Sequence, residues 1–153
     1  MSLSFEVYLE NTLKTAEAEK DLLDILSEHL RAQGELNKIE IRAARASLQI
    51  LIENSIGKAR RILKHYNCPL VPTRGRDAFT ILHECAALDD QLYRSLMQAV
   101  GFRNAMIHDY MNFDEDILLR IVKQQHYLDI YHFLIQRPDY NNVQRSRIES
   151  FRV

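Results

Sequence analysis

One short segment of the chain concentrates side chains that can carry out acid–base and phosphate chemistry. Residues 103–110 read Arg-Asn-Ala-Met-Ile-His-Asp-Tyr, which combines a fixed cation, an amide, an imidazole, a carboxylate and a phenol. An imidazole can accept or donate a proton near neutral pH, and a guanidinium can hold a phosphate through two parallel hydrogen bonds. Arg103 and His108 could therefore cleave RNA without a metal ion. In that reaction His108 would move the proton of a ribose 2′-hydroxyl or of the leaving oxygen, and Arg103 would stabilise the charged phosphate.

The spacing of these two residues limits how they can meet. Residues five apart on a straight α-helix are rotated by roughly 140° and displaced by about 7.5 Å. Either the helix loosens near His108, or two copies of the motif meet across a symmetric dimer, which would also supply a second imidazole. A purely structural interpretation is also open, in which Arg103 pairs with Asp109 or Asp114 and His108 is a half-buried histidine with a satisfied ring.

The bare pattern of arginine, four residues and histidine is weak, because it occurs a second time in this chain. Arg60 and His65 have the same spacing. Only the later match has a tyrosine, Tyr110, two places after its histidine and an asparagine directly after its arginine. The specific signal is therefore the whole segment 103–110.

The elements that must position this segment are predicted to be helices. Apolar residues at helical spacing predict one helix or two shorter ones over 5–31, with Gly34 as a plausible stop. The clearest helix is predicted from about residue 36 to 66, and Asn67 follows its end. With few turn residues, four Gly and three Pro in 153 residues, an all-β sandwich is excluded.

The second half of the chain continues the helical pattern. Asp77 and Asp89 could each cap a shorter helix, and the second of these runs into the segment 103–110. Asn112 and Glu115 have the spacing of a capping box, which predicts a last helix that ends at Pro138. We therefore expect an all-α fold, an antiparallel up-down bundle of four or five helices.

Domain organisation follows from the same pattern. Residues 1–138 form a single domain of helical periodicity, whereas 139–153 show no periodicity and are expected to be a flexible C-terminal tail. The chain start has no signal-peptide pattern and no stretch of about 18 residues avoids charge, so the expectation is a cytoplasmic protein without a membrane segment.

Metal and disulfide chemistry have little support. Cys68 and Cys85 are expected to be buried, reduced thiols, because their spacing matches no paired zinc-ligand pattern. None of the six histidines pairs with another at the spacing of helical metal ligands, so neither a metal nor a cofactor is expected.

Basic residues cluster in one stretch of an otherwise balanced chain. Lys and Arg total 20 against 21 Asp and Glu, so an RNA partner needs a local patch. Residues 58–76 contain no acidic residue and supply the candidate RNA-binding patch, which consists of Lys58, Arg60, Arg61, Lys64, Arg74 and Arg76. A solvated basic helix end without a partner is an equally good interpretation.

Taken together, these segments resemble the HepT-like toxins of the HEPN superfamily, whose hallmark is Arg-x4-His-x-Tyr at the end of a bundle helix. The resemblance covers roughly residues 40–137 and rests on three segments besides the motif itself. They are Leu48-Gln49-x-x-Ile52-Glu53, Asp77-x-Phe79-x-x-Leu82 and Met97-x-x-x-Gly101-x-Arg103-Asn104. Arg103, His108 and Tyr110 match the hallmark position for position.

The resemblance implies a HEPN-like bundle that acts as a homodimer and as a metal-independent endoribonuclease toxin of a type VII toxin–antitoxin system. Arg103 and His108 would be catalytic, with Asn104 in support, in a cleft between subunits. An MNT-type nucleotidyltransferase antitoxin would neutralise the toxin by transferring AMP units to Tyr110. The alternative is a non-catalytic subunit that presents a substrate or a nucleotide to a nucleotidyltransferase.

Overall fold

The computed structural model describes residues 4–109 and 112–152. These residues form seven helices and no strand, which confirms the predicted all-α bundle. The helices are α1 (Phe5–Gln33), α2 (Lys38–His65), α3 (Gly75–Glu84), α4 (Asp90–His108), α5 (Glu115–Lys123), α6 (Leu128–Ile135) and α7 (Asn142–Glu149). Within the described ranges, no helix is both long and apolar enough to cross a membrane.

Local chemistry fixes the ends of the two longest helices. The Ser4 hydroxyl accepts the Val7 N–H at the start of α1, and Gly34, at φ 80°, ends it in a left-handed conformation that suits glycine. Asn37 and Glu40 then form a complete capping box at the start of α2. The first helical segment, predicted as one helix or two, is one.

Helix α2 is the centre of the bundle, since it packs against α1, α3, α4, α5 and α6. One face of α2 is fully buried along its length, at Ala44, Leu48, Leu51, Ile52, Ala59, Ile62 and Leu63. Facing side chains that complete this core include Leu23, Phe79, Leu96, Leu118, Phe133 and Leu134. Burial of this apolar surface holds α4, which carries the segment 103–108, in a defined place beside α2.

Of the two N-caps predicted for α3 and α4, one is correct and one is wrong. Asp89 caps α4 as predicted, because its carboxylate accepts the Leu92 N–H at 2.7 Å. Asp77 does not cap α3, which begins two residues earlier at Gly75. A Cβ on Gly75 would lie 2.7 Å from the side chain of Ile56, so the glycine lets the start of α3 approach α2 closely.

The last predicted helix is two helices, and the prediction of a cap at Asn112 is wrong. Helix α5 begins after Asp114, whose carboxylate accepts a backbone N–H of its first turn. Between α5 and α6 the chain turns through Gln125, at φ 56°. This break places the Tyr127 side chain in the core, where its hydroxyl donates to Asp24 of α1 at 2.6 Å. The tertiary hydrogen bond compensates for the interrupted helix.

The described part of the predicted tail, residues 139–152, contains a helix, which the absence of periodicity did not predict. Asn141 and Gln144 make a capping box that starts α7, and Ile148 of this helix is fully buried. The Gln144 side chain also donates to the Ala86 carbonyl at 2.7 Å. An apolar anchor and a tertiary hydrogen bond therefore dock α7 onto the bundle.

Candidate active site

Helix α4 carries the predicted chemistry at its carboxyl end. His108 is its last helical residue, and Asp109 follows as the C-cap, with its N–H bonded to the Ala105 carbonyl. The Asp109 carboxylate accepts a hydrogen bond from the Asn112 side chain at 3.2 Å. Because α4 stays helical through His108, Arg103 and His108 lie five residues apart on one helix, and their side chains leave it in directions roughly 140° apart. The helix therefore does not loosen before His108.

Arg103 is held in place by a side chain from α2. Its Nε donates to Glu53 Oε1 at 2.5 Å, and its Nη1 donates to Asn104 Oδ1 at 3.0 Å. The Arg103 side chain is 28% exposed and that of Glu53 is 41% exposed, so the pair lies at the edge of the bundle. Arg103 therefore pairs with Glu53, and not with Asp109 or Asp114 as the structural interpretation expected.

These contacts leave part of the guanidinium available. Within the described residues, Nη2 of Arg103 makes no hydrogen bond. An arginine fixed through Nε and one Nη1 hydrogen can still present Nη2 and the remaining Nη1 hydrogen to an anion, which is the fork geometry that suits a phosphate. Asn104 and Glu53 thus orient the cation without covering all of it.

His108 differs from the histidine of the second Arg-x4-His match. The His108 side chain is exposed, and its ring makes no hydrogen bond or ring contact with other described residues. His65 instead stacks on Phe5, with ring centroids 3.9 Å apart, and lies edge-on to Tyr66. In the earlier match the histidine ring is therefore held by aromatic contacts, whereas the His108 ring has no such contact with the described residues.

The candidate modification site, Tyr110, lies outside the described residues. In one chain, no hydrogen bond or ion pair between described atoms joins Arg103 to His108. No three His, Cys, Asp or Glu side chains of the described residues lie close enough together to hold a metal ion. Cys68 and Cys85 are both buried and free, as predicted.

The structure divides the candidate RNA-binding patch. Lys58 is 1% exposed, and its ammonium donates to the carbonyls of Phe133, Leu134 and Gln136 at 2.6, 3.1 and 2.5 Å. Burial lowers the pKa of Lys58 to about 8. Its inclusion in the patch was wrong, because an interior ammonium that caps the end of α6 cannot reach RNA.

The other five members of the patch stay at or near the surface. Arg60, Lys64, Arg74 and Arg76 are exposed, and the Arg61 guanidinium lies 5.0 Å from the ring centroid of Tyr8. Arg76 reaches α4, since its Nη2 lies 3.4 Å from the position that a Cβ on Gly101 would take. The structure thus brings one cation of the patch to the helix that carries Arg103 and His108.

Glu53 is the site residue that the sequence reasoning did not single out. It appeared only as part of the Leu48–Glu53 segment. Its position, one helical turn beyond Gln49 on a helix that packs against α4, was visible in the pattern, but its pairing with Arg103 depends on how the two helices dock.

Comparison with known proteins adds a family and a fold. A family model described as ribonuclease HepT-like matches residues 15–136, which include α4. The mRNA nuclease HepT of Shewanella oneidensis is 36% identical over 59 residues, or 39% of this chain. That match spans 43% of the relative, so the chain covers under half of its length.

Solved structures show the same fold. The tri-AMPylated Shewanella oneidensis HEPN toxin in complex with the MNT antitoxin has a TM-score of 0.73 at 24% identity, over 83% of this chain and 93% of that one. A toxin–antitoxin crystal structure with AMP-PNP has a TM-score of 0.72 at 22% identity, over 83% and 95% of the two chains. At this identity the likeness establishes the architecture of the bundle.

Proposed function

Because this chain belongs to the HepT-like ribonuclease family, we propose that it is a metal-independent endoribonuclease and the toxin of a toxin–antitoxin pair. One observation carries the proposal. Helix α4 ends in an exposed imidazole, His108, and also carries Arg103, which Glu53 of α2 and Asn104 fix while part of the guanidinium stays uncovered. This is the pairing of a mobile proton carrier with a preorganised cation that phosphate chemistry needs.

The proposed reaction is transfer of the phosphodiester to the neighbouring 2′-oxygen. His108 takes the proton of the 2′-hydroxyl, the 2′-oxygen forms a bond to phosphorus, and the bond from phosphorus to the 5′-oxygen breaks. A second imidazole protonates the departing oxygen, and the product ends in a 2′,3′-cyclic phosphate. Arg103 stabilises the extra negative charge on the phosphate in the transition state.

A homodimer supplies the second imidazole. Since Arg103 and His108 do not meet in one chain, we propose that two α4 ends face each other across a two-fold axis, so that each copy contributes its own pair. A variant that stays monomeric and cleaves RNA at the full rate would remove the shared cleft from the mechanism.

We further propose that Tyr110 is the regulatory position. One structural neighbour is a tri-AMPylated HEPN toxin in complex with an MNT antitoxin. In this chain an MNT-type nucleotidyltransferase would transfer AMP units to the Tyr110 phenol, two residues from His108. The added phosphates would occupy the cationic site and repel RNA.

The first experiment is cleavage of total cellular RNA by the purified protein in excess EDTA, with Arg103→Ala and His108→Ala as comparisons. We expect cleavage by the wild type alone, with cyclic phosphate ends. If unmodified, dimeric wild type does not cleave RNA, the alternative is favoured, namely a subunit that presents a substrate or nucleotide to a nucleotidyltransferase.

A second experiment tests the role of Tyr110 by measuring the intact mass of the protein after coexpression with a nucleotidyltransferase. We expect AMP-sized mass additions on the wild type and none on Tyr110→Phe.

A further inference from the structure

A second set of cations lies on α2, outside the basic stretch 58–76. Lys38, Arg42, Arg45 and Gln49 follow each other at steps of four, three and four residues, which places them on one stripe of the helix. One more turn along the same stripe is Glu53, the residue that holds Arg103. The stripe therefore leads toward the candidate active site.

These four side chains line a groove between α2 and the end of α4, which we call the α2–α4 groove. Its volume is about 720 Å³, and its apolar lining is formed by Ile41, Ala46, Met106 and Ile107. Ile107 is 41% exposed although it is a large apolar residue. It directly precedes His108 in the sequence, so one lining residue of the groove is the neighbour of the proposed catalytic residue on α4.

The groove carries an excess of positive charge. Lys38, Arg42 and Arg45 line it, and Glu115 is its one carboxylate among the described residues. Lys38 and Arg42 are exposed, whereas the Arg45 guanidinium lies 4.8 Å from the ring centroid of Phe113. By contrast, α1 has seven acidic against three basic residues, so the positive charge is local.

We propose that the α2–α4 groove binds the backbone of single-stranded RNA on one side of the bond that is cut. A positive groove with apolar surface suits such a strand, because cations attract phosphates while unpaired bases contact the apolar side. From Glu53 to Arg42 is eleven residues of helix, about 16 Å, enough to follow several nucleotides. The inference rests on the proposed ribonuclease function and extends it to substrate binding away from the reacting phosphate.

Charge also argues against a second copy as the occupant. In a two-fold dimer that joined two such grooves face to face, two surfaces with the same excess of positive charge would be brought together, and like charges repel. An acidic face of a partner protein would be compatible with the charge, but it would not use the adjacency of Ile107 and His108 on α4. The test separates these occupants.

The test measures RNA binding in the His108→Ala background, in which the probe stays intact. The probe is a fluorescently labelled single strand of about 20 nucleotides, followed by anisotropy over a series of salt concentrations. The test variant is Lys38→Gln with Arg42→Gln. The control is Lys14→Gln with Arg94→Gln, which removes the same charge from exposed positions outside the groove.

For the groove variant we expect roughly tenfold weaker binding and a salt slope that is smaller by about 1.4, because each lost phosphate contact removes about 0.7 from the slope on single strands. Arg42→Lys should keep most of the affinity, and Glu115→Gln should tighten binding several-fold. The control variant should bind RNA as the parent does. Circular dichroism and thermal unfolding verify that each variant is folded.

Three results would overturn the groove inference. The first is equal affinity and slope in groove and control variants. The second is unchanged RNA binding with loss of self-association in sedimentation, which would assign the groove to a dimer. The third is unchanged RNA binding with loss of binding to a nucleotidyltransferase. None of these depends on cleavage, so a wild type that binds RNA through the groove but never cuts it would refute the proposed catalysis and leave the groove inference standing.

Discussion

Lys58 and Arg103 are both cations on core helices of the bundle, and the structure gives them opposite tasks. The Lys58 ammonium is buried and its donors are taken up by three backbone carbonyls at the end of α6. The Arg103 guanidinium lies at the edge, fixed by Glu53 and Asn104, with Nη2 uncovered among the described residues. The number of N–H donors that have no partner in the protein, and not the charge, decides which of the two cations can bind a substrate. Substitutions of Arg103 and of Lys58 test this comparison separately.

The largest effect is expected from Arg103→Lys. Lysine keeps the charge, but a single ammonium cannot satisfy Glu53 and a phosphate with the geometry of a planar fork. We expect RNA cleavage to fall by about 100-fold, the scale seen when one preorganised transition-state donor is lost. Initial rates on a defined RNA measure this. The matched control is Arg94→Lys, an exposed arginine on the same helix, and an equal loss in both variants would show that the effect is not local.

Lys58→Met is expected to lower the stability of the fold, in contrast to Arg103→Lys, which is expected to lower the rate of RNA cleavage. The methionine fills a similar volume but leaves the carbonyls of Phe133, Leu134 and Gln136 without their buried donor. We expect the free energy of unfolding to fall by about 2–3 kcal/mol, the usual cost of unsatisfied buried acceptors. Urea denaturation measures it. The exposed Lys64 on the same helix provides the control, since Lys64→Met should change stability by under about 0.5 kcal/mol.

Substitution of Glu53 is expected to have a smaller effect than substitution of either cation. Its role is to position the Arg103 side chain. Its pair with Arg103 is partly exposed, so removing it costs little stability. Glu53→Ala should lower kcat about tenfold with a small change in KM, because Arg103 loses its orientation while keeping its charge. Glu53→Gln retains an acceptor for Nε and should restore most of the rate. A change in KM alone, or no rescue by glutamine, would contradict a positioning role.

The same two cations show what could be predicted from the sequence. Caps with a local signature, such as Asp89 and Gly34, were predicted correctly because side chain and backbone interact within one turn. The segment 103–108 was placed at a helix end, as the motif and the nearby turn residues indicated. These features depend on neighbours in the sequence.

Two local caps, at Asp77 and Asn112, were predicted at the wrong residue. The other errors came from helical phase and from distant contacts. Lys58 was grouped with its basic neighbours by density of charge, although it lies on the buried stripe of Leu51, Ser55 and Ile62, at steps of four, three and four residues. The same neglect of phase hid the stripe of Lys38 and Arg42. The break before α6 was not predicted, because the left-handed residue there is Gln125 and not a glycine, and the Tyr127–Asp24 hydrogen bond beyond it joins residues 103 apart in the sequence.

The smallest expected effect is a pH dependence that belongs to Lys58 alone. Burial lowers the pKa of this lysine from 10.5 to about 8, so between these values the unfolded chain binds more protons than the folded one. Stability from this group therefore rises with pH across that window. Between about pH 7.5 and 9.5, the stability gap between wild type and Lys58→Met should widen by on the order of 1 kcal/mol. Other groups titrate in both proteins and cancel in the difference. A gap that stays constant across this window would mean that the carbonyls of α6 stabilise the ammonium as much as burial destabilises it, so that Lys58 stays charged in the folded protein over the whole range.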